Sequence, residues 1–237
     1  MANRPAFFVN LDNAEHIKTI NFDFEWYAGF SINQKRKSIQ SLHESILYKY
    51  PQLKILEVST KSECDLGEKL SAFNLMIHGK NNLAISVESA FQGSKVFEYG
   101  GPFTDIYTKS SKEAKKDPRI RNSGEIVGFK FFSREFELEP KTFFYDWLYI
   151  NALCLYPNLI KQVLEYDVFT DIEFNPVKSI NCQAKSLALF VSLYKKGLLN
   201  ENNIKSKEAF KKTISISSDL TKYDTNQQLT LDDENLI

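Results

Sequence analysis

At 237 residues, with 43% hydrophobic and 14% aromatic residues, the chain is long enough to bury one sizeable core rich in rings. Thirty Lys and Arg against thirty Asp and Glu give zero formal charge, which excludes a protein that clings to nucleic acid mainly by neutralising phosphates; any such contact must be local. Cys64, Cys154 and Cys182 are too widely spaced for a disulfide framework, and His16, His43 and His78 are too scattered for a zinc site.

The first ten residues form no apolar leader, and no later run approaches the roughly 18 residues of a membrane span. A cytoplasmic protein with no membrane partner is the expectation. Ile20, Phe22, Phe24 and Trp26 alternate with polar neighbours, the period of a half-buried strand. Over 31–50 the period changes: Ile39, Leu42, Ile46, Leu47 and Tyr50 form a helical stripe that Pro51 stops. His43 lies one step from that stripe, so a structural role is expected for it. Residues 53–59 read as a strand, 61–69 as a loop and 70–78 as a second strand. Gly79-Lys80-Asn81-Asn82 then has hairpin-turn chemistry. Residues 83–87 return and feed a helix over 86–95, which Gly100-Gly101-Pro102 is expected to break.

A basic run over 109–121 follows. Most such runs are solvated, yet this one is the best candidate in the chain for meeting a pyrophosphate or a DNA backbone. Residues 125–133 read as a strand and 143–155 as a buried helix. Asn158 is a candidate cap for a helix over 159–166. Residues 167–176 carry two carboxylates on a loop or short strand, and 182–195 form an apolar helix closed by Gly197. The apolar period fades beyond 217, so 1–216 is expected as one domain and 217–237 as a polar tail. The fold class is α+β, predominantly helical with a few short strands.

The stretch 86–95, SVESAFQGSK, carries the chemistry. Read as a helix, it stacks Glu88, Gln92 and Lys95 on one face at i, i+4 and i+7. Ala90, Phe91 and Val96 fall largely on the other side, and both flanks are apolar. A Glu and a Lys at this spacing are ordinarily solvated. Buried flanks would instead bring a carboxylate, a carboxamide and an amine into one wall, with small Ser89 and Gly93 leaving room beside them. No G-x-G-x-x-G or P-loop occurs, Cys182 has no evident base, and no Ser-His-Asp arrangement suggests itself.

The pattern V-E-x-A-F-Q-x-x-K at 87–95 resembles the signature helix of the NADAR (YbiA-like) family. Leu70-Ser71-Ala72-Phe73-Asn74 sits where that family carries L-S-N-F. Glu113-Ala114-Lys115 with Gly124 is similar to its A-K-x-x-G-R segment. Tyr156-Pro157-Asn158-Leu159, Leu164 and Asp171-Ile172-Glu173 resemble its later run. Longer blocks, among them SVESAFQGSKVFEYGG, FYDWLYINAL and FTDIEFNPVKSINCQAKS, resemble the branch associated with DarT-type toxins. Three departures stand out: Ser89 where many members have His, Ala72 in place of an Asn with Asn74 two residues on, and no W-G element around Ile180-Asn181-Cys182. They speak against a riboflavin-type substrate and fit a pocket for a larger, base-linked ADP-ribose.

The resemblance implies a YbiA-like fold and a hydrolase that removes ADP-ribose from guanine bases of DNA. ADP-ribose is then the product, a DarT-type toxin the partner, and no cofactor or metal is expected. Such cleavage must tolerate positive charge at the anomeric carbon, position an attacking group and protonate the leaving nitrogen. Glu88 suits the charge and the proton. Lys95, if neutral, can attack and open the ribose to a Schiff base; if protonated, it acts as a clamp or proton donor. Ser71, Phe73, Asn74 and Gln92 are expected to line the substrate. Asp105 either joins them or caps a turn, and Tyr107 either stacks on adenine or belongs to the core. Glu173 holds a ribose hydroxyl or an ion pair. Asn181 presents a helix start to phosphate or merely caps it. Two alternatives stand beside this reading: an N-glycosidase acting on a small ribosylamino intermediate, and a non-catalytic module that binds ADP-ribose or the toxin.

Overall fold

The computed structural model describes residues 1–12, 15–79 and 83–215. About 43% of them are helical, alongside three small sheets. The α+β class therefore holds, with helix short of half.

Strands β1 (Ala2–Val9) and β2 (Ile17–Phe24) pair antiparallel over their whole length, from Ala2 opposite Phe24 to Val9 opposite Ile17. The four-stranded sheet runs β2-β1-β9-β3, with β9 (Val168–Thr170) antiparallel to β1 and parallel to β3 (Ile55–Glu57). Successive residues face opposite sides. Ala6, Phe8, Phe22, Phe24 and Val168 meet helix α1 (Ile32–Lys49), while Phe7, Leu56 and Phe169 enter the main core. The apolar run PAFFV shows no alternation because β1 is covered on both faces. Helix α1 has the expected stripe, Ile39, Leu42 and Ile46, with Ser31 as its N-cap and Tyr50 ending it before Pro51; Leu47 stays exposed.

Several boundaries move. Within the stretch expected as a loop, Asp65–Lys69 forms helix α2. Only Met76–His78 of the expected strand is β4; it pairs with β5 (Ala84–Ser86), and the turn residues 80–82 lie outside the described residues. Helix α3 (Val87–Gly93) ends before Lys95, which opens strand β6 (Lys95–Phe97). Gly100-Gly101-Pro102 therefore ends no helix. The Gly100 carbonyl accepts from the Phe97 amide at 2.8 Å, and Gly101, at φ +83°, lies where any Cβ would collide with the Lys95 carbonyl oxygen.

A 3₁₀ turn (Thr104–Thr108) and helices α4 (Ser111–Lys116) and α5 (Arg119–Asn122) occupy the basic segment. Strands β7 (Ile126–Phe131) and β8 (Arg134–Phe136) complete a sheet with β6. Helix α6 (Phe143–Cys154) is buried at every position, the signature of a helix apolar all round. Helix α7 (Pro157–Val163) is entered through Tyr156, with Pro157 in its first turn, so Asn158 does not cap it. Helix α8 (Gln183–Lys195) follows Cys182. Helices α9 (Glu201–Lys205) and α10 (Lys207–Ser215) pack on α6. The expected tail, 217–237, lies outside the described residues. Among the described residues no helix is long and apolar enough to cross a membrane.

Candidate active site

Helix α3 is held at its first turn. Ser86 Oγ accepts from the Ser89 amide at 3.0 Å, and the Glu88 amide donates to the Ala72 carbonyl at 2.9 Å. The Ser111 hydroxyl, on α4, lies 2.7 Å from Ser86 Oγ and 2.9 Å from the Phe73 carbonyl. Three elements thus meet at one point: α3, α4 and the 71–74 turn.

Glu88, Gln92 and Lys95 are all buried. Gln92 Nε2 donates to Glu88 Oε1 at 2.9 Å, and Lys95 Nζ donates to Gln92 Oε1 at 2.7 Å. Acid and amine are therefore linked through a carboxamide rather than paired directly. Lys95 reaches this wall from the start of β6, not from the helix. Its Nζ also lies 4.8 Å from the centre of the Phe91 ring. Burial brings its pKa down to about 8, against the pull of the Glu88 charge and with help from the Lys115 charge. About a tenth of the amine is then neutral at pH 7.

Three residues not singled out from the sequence, Tyr145, Asp171 and Lys115, stand near the relay. Tyr145, on α6, packs edge-on against Phe91 with centroids 5.0 Å apart. Burial holds its phenol well above the usual range, and the charges of Glu88 and Asp171 push the same way. Tyr145 thus stands within electrostatic reach of both carboxyls. Asp171, just after β9, is buried, and burial together with the nearby Glu57 carboxyl keeps its pKa well above a normal aspartate's. Cys182 Sγ lies 4.0 Å from Asp171 Oδ2, and burial holds the thiol protonated, which fits poorly with a nucleophile. Lys115 sits exposed at the rim, 5.3 Å above the half-buried Phe73 ring, and its charge reaches both Lys95 and Asp171.

The other residues singled out from the sequence divide. Gln92 and Phe73 belong to this wall. Ser71 is buried with its hydroxyl donating to the Glu68 carbonyl at 2.7 Å, and Asn74 Nδ2 donates to the same oxygen at 3.0 Å. Both close the turn after α2. Tyr107 is a core side chain: its ring fills the space beside Gly93, and its hydroxyl lies 3.0 Å from Ser94 Oγ. The room expected beside Gly93 is therefore occupied, and Ser89 Oγ donates to the Lys109 carbonyl. Asp105 is exposed and gripped by Arg119 through two bonds of 3.1 and 2.6 Å. Glu173 pairs with Lys35 at 3.3 Å. Asn181 is not the cap of α8; that place is taken by Cys182, while Asn181 Oδ1 is buried without a hydrogen-bond partner among the described residues.

The sequence signals for the residues not singled out are faint. Lys115 is one lysine in a basic run, Tyr145 one ring in an apolar helix, and Asp171 shares its segment with Glu173. Grooves of about 330 Å³ at Arg134–Glu135 and about 660 Å³ along α4 include neither Glu88 nor Lys95 in their walls.

No curated protein matches the chain. The family model described as DarT1-associated NADAR antitoxin matches residues 2–224, and the chain belongs to that family.

Proposed function

We propose that this protein removes ADP-ribose from guanine bases of DNA by cleaving the N-glycosidic bond, as the antitoxin that counters a DarT1 toxin. Family membership supports the antitoxin role. The observation that carries the chemistry is the buried relay from Glu88 through Gln92 to Lys95, whose amine titrates at about 8.

In this reading neutral Lys95 Nζ bonds to the anomeric carbon as the carbon–nitrogen bond to guanine breaks. The electron pair leaves with the guanine nitrogen, which takes up a proton. Glu88 opposes the positive charge that develops on the sugar and passes the proton. The Lys95 adduct then opens its ring carbon–oxygen bond to give a Schiff base, with the proton going to the ring oxygen. Water adds to that carbon, the amine leaves, and the sugar recloses as free ADP-ribose. One water is consumed, and Lys95 is returned unchanged. Gln92 suits this sequence because its carbonyl accepts from a charged or a neutral amine alike.

The test is incubation with an oligonucleotide carrying ADP-ribosylated guanine. Free ADP-ribose is expected, together with loss of most turnover in folded Glu88→Gln and Lys95→Ala. Borohydride reduction during turnover should trap a sugar adduct on Lys95. A protein that leaves the mark on the oligonucleotide would be a binding module or an N-glycosidase of small ribosylamines, and the DNA-hydrolase reading would be abandoned. An active enzyme with no trapped adduct would remove the Schiff base.

A further inference from the structure

The segment 105–121 carries six cations against three carboxylates in a chain whose total charge is zero. All three carboxylates are engaged. Asp117 accepts from Lys109 Nζ at 2.7 Å and from Arg119, Asp105 is held by Arg119, and Glu113 closes the capping box of α4 by accepting from the Ser110 amide at 3.1 Å. Lys112, Lys115 and Lys116 remain exposed, and among the described residues none is paired with a carboxylate.

Three lysines without a carboxylate partner on one short helix repel each other. Lys112 and Lys116 stand one turn apart, about 6 Å along the axis, in the wall of the groove of about 660 Å³ beside α4. Lys115 points the other way, over Phe73 towards the relay. Ser111 locks α4 to Ser86 at the start of the helix bearing Glu88. The groove therefore has a fixed register to the relay.

From this geometry we infer that Lys112 and Lys116 form a track for the phosphates of the DNA strand flanking the modified guanine, outside the pocket that takes the ADP-ribose. The inference rests on the reading of the protein as a hydrolase acting on DNA. It reconciles zero net charge with a nucleic-acid substrate: the cations are few, but they sit on a helix tied through Ser111 to the start of the helix bearing Glu88.

The experiment compares wild type with the double variant Lys112→Gln/Lys116→Gln on two substrates. One is a single-stranded oligonucleotide with ADP-ribosylated guanine; the other is ADP-ribosylated guanosine, which has no strand phosphate. Both positions are exposed, and an unchanged thermal midpoint checks the fold. For the double variant, KM for the oligonucleotide should rise about tenfold with kcat unchanged. Kinetics on the nucleoside should not move. The log–log salt slope for the oligonucleotide should become shallower by about 1.4, the loss of two single-strand phosphate contacts. An unchanged KM for the oligonucleotide would overturn the track. Equal losses on both substrates would overturn it too, placing the lysines on the ADP-ribose pyrophosphate instead. If wild type releases ADP-ribose from neither substrate, the hydrolase reading fails on its own. Fluorescence anisotropy with an unmodified labelled oligonucleotide then decides the track: salt-sensitive binding that the double variant loses supports it, and absence of binding by wild type rejects it.

Discussion

Gln92 is the residue that sets the chemistry available to Lys95. A carboxylate in direct contact raises a lysine's pKa by about 1–3 units, whereas a neutral carboxamide holds the amine in place without fixing its charge. Folding takes Lys95 from an ordinary 10.5 to about 8, so the unfolded chain binds the extra proton. The residue thus costs stability in full below about pH 8, about 3 kcal/mol, and the cost fades as pH rises towards 10.5. A buried amine kept at that cost suits a nucleophile better than a clamp. If it attacks as the free base, kcat/KM rises about tenfold per pH unit below 8 and levels above it. Gln92→Glu should move that inflection to about 9 or higher, cutting the rate at pH 7 at least tenfold while the rate near pH 10 approaches that of wild type. A pH profile of both proteins measures this. A wild-type rate that falls above pH 8 would show the protonated amine to be the working form.

At the scale of elements, a buried polar chain ties α1 to the sheet, beside the Ser45 hydroxyl that donates to the Asp23 carbonyl on β2 at 2.9 Å. Thr170 Oγ1 donates to Glu57 Oε2 at 2.6 Å, so at 2.9 Å it accepts from His43 Nε2, which fixes the tautomer. Burial holds His43 down to about 4. The unfolded chain therefore binds a proton that the folded one refuses, and stability falls by up to about 3 kcal/mol as pH drops from about 6.5 to 4. The raised pKa values of Glu57 and Asp171 act in the opposite sense. The comparison must therefore be with His43→Gln, which keeps a donor and removes the titration. Urea denaturation across that range should show the variant losing about 3 kcal/mol less than wild type; parallel curves would mean that His43 titrates normally.

The structural role of His43 was legible because it flanks a stripe with strong period, and α1 itself was legible for the same reason. Helix α2 was not, since DLGEK is short and polar with a glycine inside. Gly67 is needed there for closeness to the sheet, because a Cβ would collide with the Glu57 carbonyl. The relay was legible in composition but not in backbone. The chain leaves the helix after Gly93 with no break in the apolar pattern, and Lys95 still meets Gln92 because β6 starts immediately beside the helix end. Asp171, Tyr145 and Lys115 converge on it only through the tertiary fold, which one-dimensional spacing does not encode.

For the whole molecule, α6 separates scaffold from site. Phe143, Trp147 and Asn151, at i, i+4 and i+8, face the C-terminal helices: Phe143 lies 5.9 Å from the Phe210 ring, and Trp147 Nε1 and Asn151 Nδ2 both donate to the Ile204 carbonyl. Tyr145 and Tyr149, also one turn apart, share the neighbourhood of Asp171 and Cys182. Damage to one face need not reach the other, because distant groups that share no partners act nearly independently. Phe210 is completely buried, so Phe210→Ala should cost about 3–5 kcal/mol in stability. Well below its lowered melting temperature, kcat/KM on the ADP-ribosylated oligonucleotide should stay within about twofold of wild type. Tyr145→Phe should do the reverse, leaving stability within about 1 kcal/mol and lowering the rate, because only a hydroxyl within electrostatic reach of Glu88 and Asp171 is lost. Denaturation and kinetics on the two variants check the division. Loss of activity in a Phe210→Ala protein that circular dichroism shows to be folded would mean that α6 moves as one piece and that the two faces are coupled.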